Sequence, residues 1–283
     1  MSLSASAKHP PHLWFNLFKY AIYGLLVLNI FLFFRDDWLA AQHLFATGFS
    51  IARLVEAFAT TLDTTAWVIL LLLFELETYV IPDEKIKGRL KFSLHGIRAL
   101  CVCAILYAFY GYVARCLALY EITPVSATDL CSLIGSSFYY MTGHDQYRVL
   151  DALSCQSLNP TAAAVLMLES NVITDQRTLE AAQWLSWVDV VNAGDWLLVV
   201  LVLEIDVRLQ LRGMLTGRVL LASKATKGLL YSVLLLAAAY WWAEGDFIDF
   251  WDAFLWIIAF IFIEMNVFEW QVETARKNKP KLS

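Results

Sequence analysis

Charge is scarce in this chain. Asp, Glu, Lys and Arg together make up 17% of its 283 residues, where a soluble globular domain carries about 25%. Helix breakers are scarce too: 6 Pro and 12 Gly exclude both a collagen and a Pro/Gly-rich disordered chain. The 5 Cys are too few for a small domain built on disulfides. Bases do not exceed acids, and a net charge of −5 leaves no basic face for nucleic acid. The sequence has no phosphate-cradling Gly-rich loop, no nucleophile elbow and no paired-His zinc helix, so an enzyme is disfavoured. What the chain has in excess is apolar surface, 59% of residues with a mean hydropathy of +0.59.

That excess is gathered into six runs: Trp14 to Phe34, Thr64 to Ile81, Ile97 to Leu119, Gly194 to Leu209, Gly228 to Ala243, and Ala253 to Val272. A helix needs about 20 mostly apolar residues to cross a bilayer. The fourth run is the weakest candidate, since Glu204, Asp206 and Arg208 fall in its last third. The runs predict an all-α polytopic membrane protein, one integral domain over residues 1–283 with six transmembrane helices. The first run ends at Arg35-Asp36-Asp37 rather than at a small-residue cleavage site, so it reads as a retained anchor.

Threading follows from the bases. With both termini cytoplasmic, only Arg35, Arg53, Arg115, Arg148 and Arg177 of the 21 Lys and Arg lie outside, as the positive-inside rule requires. The expected location is the cell (inner) membrane. The inner run of bases from Arg208 to Lys227 reads as contact with anionic headgroups.

Two segments fall on the outer side. In the first, Phe49, Ile51, Leu54, Phe58 and Leu62 recur at helical spacing. The second, residues 119–193, is too long for a simple connection. It is expected to be a helical extracytoplasmic cap between helices three and four. Its helices are predicted near Ser126 to Asp129, after Asn159-Pro160, and at Thr174-Asp175 with Thr174 as cap. Cys131 and Cys155 lie in this compartment and are expected to form a disulfide, with Cys116 as the competing partner. Cys101 and Cys103 sit on different faces of the third helix and read as packing residues. His9, His12 and the His144-Asp145 pair are too scattered to be zinc ligands and read as surface polar groups.

The even-numbered helices share a pattern. Asp63, Asn192 and Asp252 are each followed at +4 by Trp67, Trp196 and Trp256, at +12 by Glu75, Glu204 and Glu264, and at +14 by Glu77, Asp206 and Asn266. The odd helices each begin with a base, Lys19, Arg98 or Lys227. The chain therefore reads as three helix-hairpin repeats, with a binding site expected where repeats meet. Trp favours the membrane interface, so the +12 acids lie about 12 Å deeper. An acid there costs roughly 2.5–3.5 kcal/mol unless neutralised. Offsets +12 and +14 differ by about 200° around a helix, so the two acids of one helix face different neighbours.

Three neutralisers stay open for the deep acids. They are the candidate ion-pair bases Lys19, Arg98 and Lys227, a transported cation, and a partner chain. The leading expectation is a cation or proton permease or channel using Glu75, Glu77, Glu204, Asp206, Glu264 and Asn266, with Glu204 the preferred ion ligand. The rival is a non-catalytic membrane subunit that anchors a multiprotein complex. Expected partners are the lipid bilayer and either other membrane subunits or further copies of the chain, not nucleic acid.

Overall fold

A computed structural model describes residues 13–45, 54, 57–77, 81, 87–124, 130–135, 138–144, 146–158, 165–167 and 171–277. The side chains of residues 13–15, 42–45, 157–158, 165–167, 211 and 264–277 lie outside that description. The protein is mostly helical. Six long helices carry it: α1 (Leu13–Phe45), α2 (Ala59–Glu75), α3 (Gly88–Ala118), α4 (Gln176–Leu211), α5 (Gly217–Glu244) and α6 (Phe247–Lys277). Three of them, α1, α3 and α5, contain segments long and apolar enough to cross a membrane.

The helices pack in chain order, each against the next, and α6 returns to α1 to close the ring. The odd helices turn apolar side chains outward: Phe92, Leu100 and Leu236 are at least 70% exposed, a surface that only lipid would cover without penalty. The even helices meet inside. Val68 and Leu71 of α2, Val199 of α4, and Leu255 and Ala259 of α6 share one core with Leu26 of α1 and Leu234 of α5. Two glycines permit the tightest joins. At Gly194 an added Cβ would meet the Phe109 ring at 3.4 Å, so α4 approaches α3 closely there. Gly245, at φ +84°, ends α5 with bonds from the Gly245 and Asp246 amides to Trp242 and Trp241 carbonyls. That left-handed cap turns the chain into α6 within two residues.

Residues 119–193 correct the expectation of an all-helical cap. The segment forms a five-stranded sheet in the order β1-β4-β5-β2-β3. Its strands are β1 (Ile122–Pro124), β2 (Tyr139–Gly143), β3 (Gln146–Val149), β4 (Val165–Met167) and β5 (Val172–Thr174). Neighbours run antiparallel except β2 and β5, which are parallel. The β-branched and aromatic residues of Val172-Ile173 and Tyr139-Tyr140 suit a pleated surface, and runs of three to five residues are too short to show a period. Alternation sets the two faces. Val172, Tyr139 and Met141 pack on Leu179 and Ala182 of α4, while Ile173 and Tyr140 face Leu130, Leu150 and Cys155.

A short 3-10 turn at Leu130–Leu133 lies beside a two-turn helix at Ala152–Leu158. The disulfide Cys131–Cys155 joins them across 24 residues of sequence. Cys116 is a free, buried thiol; of the third-helix pair, Cys101 is buried and Cys103 exposed. The helix predicted at residues 126–129 lies outside the described residues, as do residues 159–164, His9, His12, Asp145, Phe49 and Ile51.

Asp175, rather than Thr174, caps α4: its carboxylate accepts from the Arg177 and Thr178 amides at 3.0 and 3.1 Å. Burial pushes the Asp175 carboxyl up, and these bonds with that from the Thr178 hydroxyl outweigh it, holding its pKa below the usual carboxylate range. Thr174 is the last residue of β5. The stretch from Leu179 to Val191 lies in the first half of α4, which runs unbroken for 36 residues.

Candidate functional site

The repeated polar residues separate into two sets at opposite ends of the bundle. At the end where the odd helices carry their bases, acids and bases meet. Lys19 Nζ lies 2.6 Å from Glu75 Oε1, which also accepts from the Tyr20 hydroxyl at 3.0 Å. Arg98 reaches Glu77 at 2.7 Å, and Lys227 lies 3.2 Å from Asp206, whose carboxylate also accepts from Ser223 at 2.6 Å. So Glu75 faces α1 and Glu77 faces α3. Both Glu77–Arg98 and Asp206–Lys227 tie a +14 acid to the base that opens the following odd helix. The third such position is Asn266, which carries no charge; Lys19 is held by Glu75 instead. Glu204 is on the outside of the bundle, bonded at 2.8 Å to Arg208 one turn along the same helix. The side chains of Glu264 and Asn266 lie outside the described residues.

About four helical turns away from those bases, at the sheet end, is a cavity of about 80 Å³. It has room for several waters, at roughly 10–15 Å³ each, or for one small solute. Each even helix contributes the same four positions. From α2 come Thr60, Asp63, Thr64 and Trp67; from α4 Asp189, Asn192, Ala193 and Trp196; from α6 Asp249, Asp252, Ala253 and Trp256. Taking Asp63, Asn192 and Asp252 as zero, these are offsets −3, 0, +1 and +4, one stripe of an α-helix. The small residue at +1 leaves the space, and the Trp at +4 walls it.

The odd helices contribute in register as well. Phe33, Tyr112 and Trp241 line the cavity, and each stands fourteen residues beyond Lys19, Arg98 and Lys227 respectively. Fourteen residues of helix is about 21 Å, which separates the ion pairs from the cavity. Arg115 of α3 and His144 of the β2–β3 turn complete the rim, and Phe260 lies within.

Indoles and carboxylates pair locally. Asp63 accepts from Trp67 and Tyr112, and Asp252 accepts from Trp256 and from Asn29 Nδ2 of α1 at 2.8 Å. This explains the spacing of four: it puts an indole N–H one turn from a carboxylate. The rings close the floor of the site, Trp67 against Trp256 at 6.3 Å and Trp196 against Phe260 at 4.6 Å between centroids. The rim is charged: His144 Nε2 is 3.7 Å from Asp189, and the Arg115 guanidinium lies 5.5 Å from the Tyr112 ring centroid.

In total the lining holds four carboxylates, Asp63, Asp189, Asp249 and Asp252, against one guanidinium and one imidazole. Asp63 feels Asp252, and Asp249 feels both Asp189 and Asp252. Such a group attracts positive charge or retains protons. Among the described residues, neither the buried Asn192 carbonyl oxygen nor the Trp241 indole N–H of the lining has a hydrogen-bond partner. Among the described residues no group of three or more His, Cys, Asp or Glu has the arrangement of a metal site.

Sequence reasoning singled out Asp63, Asn192, Asp252 and the three Trp residues but missed Arg115, Asp189, Asp249 and Trp241, and it read His144 as surface polarity. The signal was present at offset −3 and in the odd helices at +14. The chain matches no family model, no curated protein and no solved structure.

Proposed function

We propose that the chain is a six-span membrane protein built as three helix hairpins about one axis. In this reading both termini are cytoplasmic, the sheet is extracytoplasmic, and the cavity is the outer binding site of a permease for a cation or protons. One observation carries the functional part: four carboxylates converge on a cavity whose lining supplies only Arg115 and His144 as bases. Carboxylates at membrane depth need water, a counter-ion or protons, and a site between repeats is where transporters bind their substrates. The threading draws on the bases, which gather with Lys19, Arg98 and Lys227 at the end away from the sheet.

The ion path therefore begins at Asp63 and Asp252 rather than at the deeper acids. Glu75, Glu77 and Asp206 are held by bases, which closes the axis at that end; Glu204 lies off it. The three-hairpin arrangement is supported by the equal offsets with which all six helices reach the cavity.

The test is flux in proteoliposomes holding the purified chain, with a pH-sensitive dye inside and Na⁺ or K⁺ gradients imposed. Asp63→Asn with Asp252→Asn should fold, since Asn keeps an acceptor for Trp67 and Trp256, and should abolish flux. Flux equal to the parent's would remove the acids from the path. A chain with no flux that is recovered only as part of a membrane complex would make it an assembly subunit. Reporters fused after Ser283 and within the turn at Gly143 should fall on opposite sides of the membrane; finding both on one side would overturn the threading.

A further inference from the structure

The walls of the cavity say which kind of positive charge fits. A hard inorganic cation such as Na⁺ or Ca²⁺ takes about six to eight oxygen ligands in exchange for its water shell. Here four indoles, Trp67, Trp196, Trp241 and Trp256, line the space beside the carboxylates. An indole face does little for a strongly hydrated ion, but it attracts a weakly hydrated organic ammonium, Trp best of all. Carboxylates beside indoles thus favour an ammonium group.

Trp241 adds a second requirement. It is 4% exposed, it lines the cavity, and its indole N–H has no acceptor among the described residues. Its counterparts at +4 in the even helices, Trp67 and Trp256, each give their N–H to a carboxylate one turn away. Four residues before Trp241 stands Ala237, which has no such group. The donor is therefore left for a ligand. The Asn192 carbonyl oxygen, also without a partner, is left for a ligand N–H or a water.

We infer that the cavity takes a small organic ammonium compound carrying a hydrogen-bond acceptor, its positive end between Asp63 and Asp252 and the indole rings, its acceptor on the Trp241 N–H. This rests on the cation-site reading above and narrows it to a substrate class. The cavity volume of about 80 Å³ suits the scale of an amino alcohol or a methylated relative.

The experiment is equilibrium binding of radiolabelled choline to the purified full chain in detergent, with tetramethylammonium, ethanolamine, NaCl and CaCl₂ as competitors at matched ionic strength. Choline should bind, ethanolamine should compete, and tetramethylammonium, which lacks the acceptor, should compete about 2–10-fold more weakly, the size of one net hydrogen bond. Trp241→Phe keeps a ring and removes the donor, so it should erase the difference between choline and tetramethylammonium while leaving tetramethylammonium unchanged. Asp252→Asn should weaken both ammonium compounds.

If Na⁺ or Ca²⁺ occupies the site, competes as well as the ammonium compounds, and is lost in Asp252→Asn, the cation reading stands and this inference falls. If no cation of either kind binds, both fall. Should Trp241→Phe unfold, Trp241→Tyr serves: its hydroxyl donates from a different position, and an unchanged preference for choline would overturn the role of the indole N–H.

Discussion

The two ends of the helical bundle are built from one set of offsets and have opposite electrostatics. At one end Glu75, Glu77 and Asp206 each have a base on a neighbouring helix, and the helices are pinned to one another. At the other, four carboxylates meet one guanidinium and one imidazole around open space. The difference teaches where charge serves register and where it serves a ligand. A buried pair fixes a neighbour but adds little net stability, because desolvation offsets attraction. A carboxylate beside a cavity can bond a neighbouring helix, as Asp252 bonds Asn29, and still present charge to a solute.

The comparison is broken most severely at Lys19. Lys19 and Glu75 are the most deeply buried of the pairs, with side chains 2% and 6% exposed. Lys19→Met should cost about 3–5 kcal/mol, because Glu75 is then buried without its base, and Lys19→Met with Glu75→Gln should recover most of it. Thermal unfolding in detergent measures both. A single variant as stable as the parent would mean that water reaches Glu75.

Next in size is the disulfide, which belongs to the sheet rather than to either end of the bundle. Closing a loop of this length contributes about 3 kcal/mol through the unfolded state. Reduction should therefore lower the unfolding temperature of the sheet while leaving the bundle's transition in place. Thiol labelling of the unfolded chain should modify Cys131 and Cys155 only after reduction. Labelling before it would show the bridge absent.

The remaining pairs grade downward with exposure. Lys227→Met should cost roughly 1–3 kcal/mol, between the limits for buried and exposed pairs, and Glu204→Gln within about 0.5 kcal/mol, since Glu204 and Arg208 are both largely solvent- or lipid-facing. A Glu204→Gln variant that loses flux would return the path to the deep acids.

A further effect is set by pH at the sheet. Asp175→Ala removes the cap of α4 and should cost about 1 kcal/mol. Because the folded state holds the Asp175 carboxyl below its unfolded value, its contribution is present above the unfolded pKa near 3.9 and is lost as pH falls through the folded one. Asp151, held low first by the Ser154 amide and hydroxyl, acts in the same direction. Acid titration of the parent and of Asp175→Ala should therefore converge as pH falls well below the unfolded pKa; a gap that persists there would assign the cap's effect to something other than ionisation.

Much of the bundle was legible because membrane solvation writes long, simple signals. Six apolar runs mark the long helices, and the +12 and +14 acids named Glu75, Glu77 and Asp206 as polar groups in need of partners. The sheet was not legible. Strands such as Val165–Met167 and Val172–Thr174 are shorter than any period, and their pairing is non-local. The cavity was half legible. Asp63, Asn192 and Asp252 repeat visibly with their Trp residues, but at −3 the three helices carry Thr60, Asp189 and Asp249, and at +14 the odd helices carry Phe33, Tyr112 and Trp241. Those positions match in place and not in residue type, so a search for identical letters passes over them. Arg115 and His144 have no counterpart in the other repeats, and only the folded chain brings them to the rim.

The unbroken length of α4 has a mechanical consequence. At about 54 Å this one rod holds the sheet at its first turns through Leu179 and Ala182, carries Asp189 and Asn192 at the cavity, and grips α5 near its far end through Asp206. A helix without a kink moves as a stiff lever. With the cavity near its fulcrum, a tilt of about 10° would carry either end by roughly 4–5 Å, more than the reach of the Asp206–Lys227 contact. Any tilt of this rod would thus shift the sheet and strain the lock at the opposite end in one stroke.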